Sequence, residues 1–245
     1  MKANGVELDK VQVIIPAYNE EPTIGKVIER LQVLGLRNIR VVNNASDDKT
    51  AVVAEEAGAE VICEPVKGYG KACWTGYQTL SPDCEWVLFC DADGSDELEH
   101  LPDFFAVVDD FDFILANRRV SKSGRQAMTP IQNFGNAFAT TLIQLGWRFR
   151  YHDLGPLRLI RRQSLESIGM RDRNFGWTVE MQIRAIEYGL RIKEIPMSYL
   201  PRQGGQSKIS GTVSGTIKAG SKILWTVFRY YLRSKFSNKR NSPSQ

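Results

Sequence analysis

The sequence lacks any apolar run that approaches the roughly 20 residues needed to cross a bilayer. Its first ten residues, MKANGVELDK, are too polar to form the apolar core of a signal peptide. The four cysteines (Cys63, Cys73, Cys84 and Cys90) show no C-x-x-C spacing, so neither a zinc site nor a disulfide framework is predicted. We therefore expect a reduced, cytoplasmic protein.

Acidic residues are absent after Glu194, although the whole chain has 28 Asp or Glu and 32 Lys or Arg. The segment from Arg202 to the end carries nine of the basic residues. The preceding part therefore has 23 basic and 28 acidic residues, a net charge of −5. A basic C-terminal part favours an anionic partner, and phosphate, nucleic acid and anionic lipid are all open at this point.

Short β-rich runs alternate with helix-patterned segments in the first half of the chain, which has 245 residues and 42% hydrophobic residues overall. The predicted strands are 11–15, 39–42, 60–63, 85–90 and 112–116, with a helix beginning near Pro22, another through Ala57 and a third over 69–80. This alternation predicts an α/β fold with a mainly parallel central sheet flanked by helices. Ligands of such sheets bind at the carboxyl ends of the strands.

The alternation breaks after Asn117. Residues 118–130 are basic and rich in turn formers, and we expect a mobile loop there. Further elements are predicted as a helix over 131–147, a strand over 157–160, a helix over 178–188 and a final strand over 192–200.

Two aspartates, in the triplet Asp91-Ala92-Asp93, directly follow the apolar strand that ends at Cys90. Strand alternation places both carboxylates on the same side, at the carboxyl end of a strand. Paired hard carboxylates suit Mg²⁺ or Mn²⁺ that keeps open positions for phosphate oxygens. The alternative interpretation is a polar turn that only ends the strand.

Two common phosphate-binding patterns are missing. Neither G-x-x-x-x-G-K-[ST] nor G-x-G-x-x-G occurs, which argues against a P-loop NTPase and a dinucleotide-binding dehydrogenase. The glycines of Lys67-Gly68-Tyr69-Gly70-Lys71 open a helix, where backbone N–H groups can approach an anion.

Seven segments, in this order, resemble family 2 glycosyltransferases of the GT-A nucleotide-sugar-binding fold. They are VIIPAYNEEPTI, VVNNASDDKT, KGYGKA, FCDADGSDELE, DLGPLRLIRR, FGWTVEMQ and RQGGQSKISG. The most similar subset is the dolichyl-phosphate mannose or glucose synthases. The resemblance covers about residues 10–211 and implies a GT-A domain over 1–211, followed by a basic amphipathic helix and a disordered tail over 212–245.

The resemblance implies a set of donor-binding residues. The predicted donor-binding set is Pro16, Ala17, Tyr18, Glu20, Asn44, Lys71, Asp91, Ala92, Asp93, Arg202, Ser207 and Lys208. Within it, Asp91 and Asp93 would hold Mg²⁺ or Mn²⁺ against the diphosphate. Asn44 stands where the family usually has an aspartate that contacts the base, so uracil and guanine both remain open. The family's third metal ligand falls on Ser95, for which Asp96 or water would substitute.

The candidate catalytic residues are Asp153, Glu180 and Arg202; Asp153 precedes a predicted turn, Glu180 lies in a helix pattern, and the resemblance implies a phosphate-binding role for Arg202. Arg202 would neutralise charge on the departing nucleoside diphosphate. Asp153 or Glu180 would act as the base if the acceptor is a hydroxyl, whereas a phosphate acceptor needs none. Glu180 would alternatively pair with Arg158 or Arg184.

Two ring-bearing residues near these segments have alternative roles. His152 is interpreted as a packed residue, or as one that supports the site from behind, in preference to a ligand. Trp177 would either stack on a sugar or belong to the core.

The residues over 217–232 form a basic amphipathic helix pattern. At about 100° per residue, the side chains of Lys218, Lys222, Arg229 and Arg233 lie on one side. Such a helix either lies in a membrane interface or docks its apolar side on the body of the protein.

The sequence therefore predicts an inverting, metal-dependent hexosyltransferase that uses UDP-glucose or GDP-mannose. The expected acceptor is a polyprenyl phosphate, with a soluble or carbohydrate hydroxyl as the alternative. A nucleotidyltransferase or a non-catalytic nucleotide-sugar-binding module is the alternative of another class. Peripheral contact with the inner face of a membrane is expected, and nucleic acid is not expected as a partner.

Overall fold

The computed structural model describes residues 2–3, 6–200, 204 and 213–240, with side chains for 6–122, 124–200, 204 and 220–235. The strands in these residues are β1 (Lys2–Ala3), β2 (Val6–Glu7), β3 (Val11–Ala17), β4 (Ile39–Asn43), β5 (Glu60–Cys63), β6 (Trp86–Phe89), β7 (Phe113–Asn117), β8 (Arg158–Arg161) and β9 (Ile192–Pro196). The α-helices are α1 (Ile24–Val33), α2 (Thr50–Glu56), α3 (Tyr69–Gln78), α4 (Leu101–Phe105), α5 (Lys122–Ala127), α6 (Pro130–Trp147), α7 (Arg162–Ile168), α8 (Trp177–Glu187) and α9 (Val213–Arg240).

Seven strands form the central sheet in the order β5-β4-β3-β6-β8-β7-β9, and β1 pairs with β2 in a separate hairpin. The pairs β3/β4, β3/β6, β4/β5 and β7/β9 are parallel, which confirms the predicted mainly parallel α/β sheet. Strands β3, β4 and β6 are neighbours, so the loops that follow them meet at one edge of the sheet.

Strand β8 runs antiparallel to both of its neighbours, β6 and β7. Its first residue, Arg158, pairs with Leu115 near the end of β7. Residues 118–157 therefore begin and end at the edge where β7 stops, and β8 returns from that edge. The same edge thus receives the turn before β8 as well as the loops after β3, β4 and β6.

The core lies on both faces of the sheet because successive side chains of a strand point to opposite sides. Ile15, Val41 and Leu88 pack on the face covered by α1, α2 and α4. Ile14, Val42 and Phe89 pack on the face covered by α3 and the later helices. Burial on both faces explains why these strands are almost continuously apolar.

Two predictions between residues 118 and 200 need correction. The segment 118–130, predicted to be a mobile loop, contains helix α5, because the hydroxyl of Ser121 accepts a hydrogen bond from the amide of Gly124 (2.9 Å) and caps its first turn. The final strand, predicted over 192–200, ends at Pro196. Beyond it, Tyr199 makes an isolated antiparallel bridge with Asp96.

Helix α9 packs against α6 and α8. Thr226, Val227 and Tyr230 are buried in this contact. The helix thus docks on the body through these three residues. Of the apolar side predicted for it, Val227 is buried, whereas Leu224, Phe228 and Tyr231 are exposed, so the docking alternative is only partly met. Among the described residues, no helix is both long and apolar enough to span a membrane.

Candidate active site

Hydrogen bonds join the loops after β3 and β4. The amide of Asn19 donates to the hydroxyl of Ser46 (3.0 Å), and the amide of Glu20 donates to the hydroxyl of Thr50 (2.8 Å). Ala17 and Glu20 are buried, whereas Pro16 and Tyr18 are half-buried. The structure thus brings the first four predicted donor-binding residues to the predicted edge of the sheet.

Asn44 is buried, and its side chain is bound to backbone groups of the loop after β5. Its Nδ2 donates to the carbonyls of Glu64 (3.1 Å) and Val66 (2.8 Å), and its Oδ1 accepts from the amide of Gly68 (2.7 Å). Both amide hydrogens are therefore occupied within the protein. Asn44 holds the loop that leads into α3, in whose first turn Lys71 lies.

The same loop reaches back to Tyr18. The Nζ of Lys67 lies 4.3 Å from the centre of the Tyr18 ring and donates to its hydroxyl (2.5 Å). Lys67 was not among the predicted site residues, although it stands in the glycine-containing stretch that opens α3. A cation that contacts Tyr18 adds positive charge beside the predicted nucleotide pocket.

Three aspartates lie close together after β6. Asp91 and Asp93 are half-buried, and Asp96 is buried with no hydrogen-bond partner for either carboxylate oxygen. Burial and the charges of Asp93 and Asp96 raise the pKa of Asp91 well above its usual value. Burial and the charge of Asp93 raise the pKa of Asp96 to about 7. These carboxylates repel one another in a site of low polarity.

Two of these carboxylates, those of Asp91 and Asp93, suit a hard divalent cation. A cation would relieve the repulsion between the carboxylates, and oxygen is the ligand that Mg²⁺ and Mn²⁺ prefer. In the part of the chain that the structure describes, no three acidic, histidine or cysteine side chains converge in metal-binding geometry. Asp91 and Asp93 would therefore supply two ligands, with phosphate and water oxygens as the others. The hydroxyl of Ser95 is bonded to Asp93 and to Tyr199 (2.9 Å).

A buried ion pair lies at the end of β7. The guanidinium of Arg118 donates to both oxygens of Asp153, from Nε at 2.7 Å and from Nη2 at 2.9 Å. Asn136 of α6 and the amide of Leu154 also donate to Asp153. Burial opposes the charged form of Asp153, but Arg118 outweighs it and lowers the pKa of Asp153. Arg118 was not predicted, and its position directly after β7 was the available signal.

Glu180 is fully buried in the first turn of α8. It accepts hydrogen bonds from the amides of Arg171 (3.0 Å) and Asp172 (2.6 Å) and from the hydroxyl of Tyr230. Its carboxylate pairs with neither Arg158 nor Arg184, which donate to backbone carbonyls. Both oxygens of Glu180 are therefore engaged in joining α8 to α9 and to the preceding loop.

Two further interpretations concern aromatic side chains. Trp177 is buried, and its ring meets the edge of Phe89 at 5.9 Å, so the core interpretation is confirmed. His152 is not packed in the core, because half of its side chain is exposed, but its Nδ1 lies 2.6 Å from a carboxylate oxygen of Glu194, which also accepts from the amide of Asp153; this fits the alternative of a residue behind the site.

Three predicted phosphate-binding residues, Arg202, Ser207 and Lys208, lie outside the described residues. Gly204, which is described, lies against the loop before α1. A Cβ at Gly204 would come within 3.0 Å of the Thr23 side chain and 3.1 Å of Pro22. Pro22 and Thr23 closely follow the predicted donor-binding segment 16–20, so Gly204 lies close to the end of that segment.

Comparisons with known proteins agree with this architecture. Residues 12–169 match the family model described as "Glycosyl transferase family 2". An uncharacterized glycosyltransferase of Mycobacterium tuberculosis is 36% identical over 211 residues, covering 86% of this chain and 94% of the relative. A dolichyl-phosphate hexose transferase of Haloferax volcanii is 30% identical over 209 residues, covering 84% and 90%.

Solved structures share the fold. One is glucosyl-3-phosphoglycerate synthase of Mycobacterium tuberculosis in complex with Mn²⁺, UDP and phosphoglyceric acid. It superposes with a TM-score of 0.70 at 18% identity, covering 90% of this chain and 78% of the synthase. The fold is thus of the GT-A type, and the family match removes the nucleotidyltransferase and the non-catalytic alternatives. The chain belongs to glycosyl transferase family 2, and it is a glycosyltransferase.

Proposed function

We propose that this glycosyltransferase moves a hexose from UDP-glucose or GDP-mannose to a polyprenyl phosphate, with inversion at the anomeric carbon. The reaction would take place at the edge of the sheet where the loops after β3, β4 and β6 meet. The acceptor phosphate oxygen would attack the anomeric carbon as the bond to the nucleoside diphosphate breaks. Water has to be kept away from that carbon for the transfer to succeed.

The choice between a phosphate acceptor and a hydroxyl acceptor rests on the state of the two candidate bases. Asp153 is held by Arg118, which lowers its pKa and makes it a weak base. Glu180 is buried, with its oxygens committed to two amides and to Tyr230. A hydroxyl acceptor must lose a proton to a nearby base, whereas a phosphate is already anionic. The absence of an available base among these two carboxylates therefore supports a phosphate acceptor.

The donor side rests on Asp91 and Asp93. These carboxylates would hold Mg²⁺ or Mn²⁺, whose positive charge would favour departure of the nucleoside diphosphate. Pro16, Ala17, Tyr18 and Glu20 would bind the nucleoside, with Asn44 fixing the loop beside it. Residues Lys71, Arg202, Ser207 and Lys208 would lie along the phosphates, where cationic groups favour departure of the nucleoside diphosphate.

The relative from Haloferax volcanii supports the acceptor, since its name is dolichyl-phosphate hexose transferase. The solved complex with Mn²⁺ and UDP supports a nucleotide-sugar donor whose binding depends on a divalent metal. A polyprenyl phosphate resides in a bilayer, so the enzyme would act at the cytoplasmic face of a membrane as a peripheral protein.

The test is a transfer assay with the purified full chain. Radiolabelled UDP-glucose and GDP-mannose are each offered with Mn²⁺ or Mg²⁺, and with a polyprenyl phosphate or 3-phosphoglycerate as acceptor. We expect a labelled lipid product, one nucleoside diphosphate released per transfer, and loss of both with a chelator. Asp93→Ala should remove metal-dependent nucleotide binding in a calorimetric titration. Transfer only to the hydroxyl of 3-phosphoglycerate would overturn the proposed acceptor.

A further inference from the structure

Helix α6 carries a row of exposed apolar side chains. Its buried residues are Asn136, Ala139, Thr140 and Ile143. Its exposed large apolar residues are Ile131, Phe134, Phe138 and Leu145. At about 100° per residue, the exposed set lies on the side of the helix opposite the buried set. Phe134 is 72% exposed, and its ring stacks on that of Phe138 at 6.0 Å.

Helix α9 has the same arrangement. Its buried residues in the described part are Thr226, Val227 and Tyr230. Its exposed large apolar residues are Leu224, Trp225, Phe228, Tyr231 and Leu232. These again lie on the side of the helix away from the body. An outward-facing side of a surface helix is normally polar, so two such helices in one protein are unusual.

The two helices that carry these apolar sides are neighbours. Helices α6 and α9 pack together, and the rings of Trp147 and Tyr231 meet edge to face at 6.3 Å across the seam. We call the nine exposed apolar residues of these helices the α6–α9 apolar face. Soluble monomers seldom expose a continuous apolar area of this kind unless it binds something.

Charge indicates what the face binds. The segments 113–152 and 195–245, which contain α6 and α9, have no Asp or Glu, and they carry 6 and 9 Lys or Arg. Within these two segments, the exposed Lys and Arg residues whose side chains are described are Lys122, Arg125, Arg148, Arg150, Arg229, Arg233 and Lys235. Aromatic side chains beside cations are typical of helices that lie in the interface of an anionic bilayer.

A second copy of this chain fits the face less well. A two-fold dimer would place the same patch against itself, so these cations would oppose like charges across the interface. An anionic lipid surface neutralises them instead. The charge pattern therefore distinguishes between the two occupants.

We propose that the α6–α9 apolar face inserts into the headgroup region of an anionic bilayer. Asn136 on the buried side of α6 bonds Asp153, so insertion would hold the Arg118–Asp153 pair about one helix diameter, roughly 10 Å, from the lipid. The inference deepens the proposed function, on which it rests for the reason why the site must face lipid. Binding to vesicles itself requires neither donor nor acceptor.

The experiment is flotation of the full chain with vesicles of phosphatidylcholine, with and without phosphatidylglycerol. We expect binding that depends on phosphatidylglycerol and weakens with salt. Phe134→Ser with Phe138→Ser should weaken binding at least tenfold. Arg229→Gln with Arg233→Gln should weaken it about fivefold per charge. The control is Val33→Ser with Val52→Ser, which removes exposed apolar side chains of α1 and α2 and should leave binding unchanged.

Several outcomes overturn the inference. One is the absence of vesicle binding, and another is binding that the α6 variant leaves intact. A third is a dimer of the wild-type chain, measured by light scattering, that becomes a monomer with Phe134→Ser and Phe138→Ser. That result would mean that the face binds a second copy of the chain. Vesicle binding without transfer to a polyprenyl phosphate would leave this inference standing and overturn the proposed function alone.

Discussion

Asn43 and Asn44 are adjacent and chemically identical, but the protein uses them differently. The side chain of Asn43 acts only as an acceptor, through its Oδ1, of a hydrogen bond from the amide of Ser46 (3.2 Å). Asn44 donates two hydrogen bonds to carbonyls and accepts one. An aspartate at position 43 keeps the acceptor, whereas an aspartate at 44 would put a carboxylate oxygen against carbonyl oxygens.

Asn44→Asp should therefore destabilise the protein, because two carbonyls lose their donors and face a negative charge. We expect a loss of about 2–4 kcal/mol in the free energy of unfolding, measured by urea denaturation. Asn43→Asp is the matched control and should change the stability by less than about 0.5 kcal/mol. Equal effects of the two substitutions would contradict the assigned role of Asn44.

Asp96 leads to a prediction about pH. Its pKa is raised to about 7 by burial and by Asp93, so the folded protein retains a proton that the unfolded chain releases near pH 4. Stability conferred by that proton is complete below about pH 4 and is lost as the pH rises through about 7. The loss is on the order of 4 kcal/mol in metal-free protein.

Asp96→Asn mimics the protonated carboxyl and should remove most of this dependence. The measurement is urea denaturation at pH 5 and pH 8, in a buffer that contains a chelator. Wild type should lose more stability over this range than the variant, in which Asp91, whose pKa is also raised, still contributes. Parallel losses in the two proteins would show that Asp96 does not titrate in this way.

At the scale of elements, helix α9 is joined to α8 by a hydrogen bond inside the core. The hydroxyl of Tyr230 donates to Glu180, and burial together with Glu180 raises the pKa of Tyr230 to about 12. The hydroxyl therefore stays protonated and remains a donor at neutral pH. Lys222 adds an ion pair with Asp172 of the preceding loop (3.0 Å).

Tyr230→Phe should destabilise the protein by about 1–3 kcal/mol, because the buried carboxylate of Glu180 loses one of its donors. Tyr231→Phe is the matched control, since the neighbouring Tyr231 is exposed and should change the stability very little. Chemical denaturation of both variants and of wild type measures the difference. A result in which Tyr231→Phe costs as much as Tyr230→Phe would contradict the docking of α9 through Tyr230.

The elements also show what the sequence can predict. Strands β3 to β7 follow from apolar runs and intervening helix patterns, because local periodicity reports burial. The antiparallel direction of β8 depends on where residues 118–157 cross the edge of the sheet, which periodicity does not contain. The ion pair of Arg118 and Asp153 likewise joins residues 35 positions apart, and no sequence pattern pairs them. Pairings of this kind come from tertiary packing.

At the scale of the whole molecule, the site depends on contacts well beyond the GT-A loops. The turn that carries Asp153 is held by α6, and α6 packs against α9. The proposed domain boundary at residue 211 would leave α9 outside the domain. The burial of Val227 and Tyr230 argues that α9 nevertheless contributes to the stability of the body.

Truncation after Gly211 should therefore lower the melting temperature as well as affect vesicle binding. Removing two buried side chains of this size costs about 3–6 kcal/mol as an upper bound. At 2–4 °C per kcal/mol, this corresponds to a decrease on the order of 10 °C. The matched variant is Trp225→Ser with Phe228→Ser, which alters only exposed residues of α9 and should leave the melting temperature nearly unchanged. Differential scanning calorimetry measures the melting temperatures of wild type and the two variants. If the truncated chain melts at the same temperature as wild type, α9 is dispensable for the stability of the body.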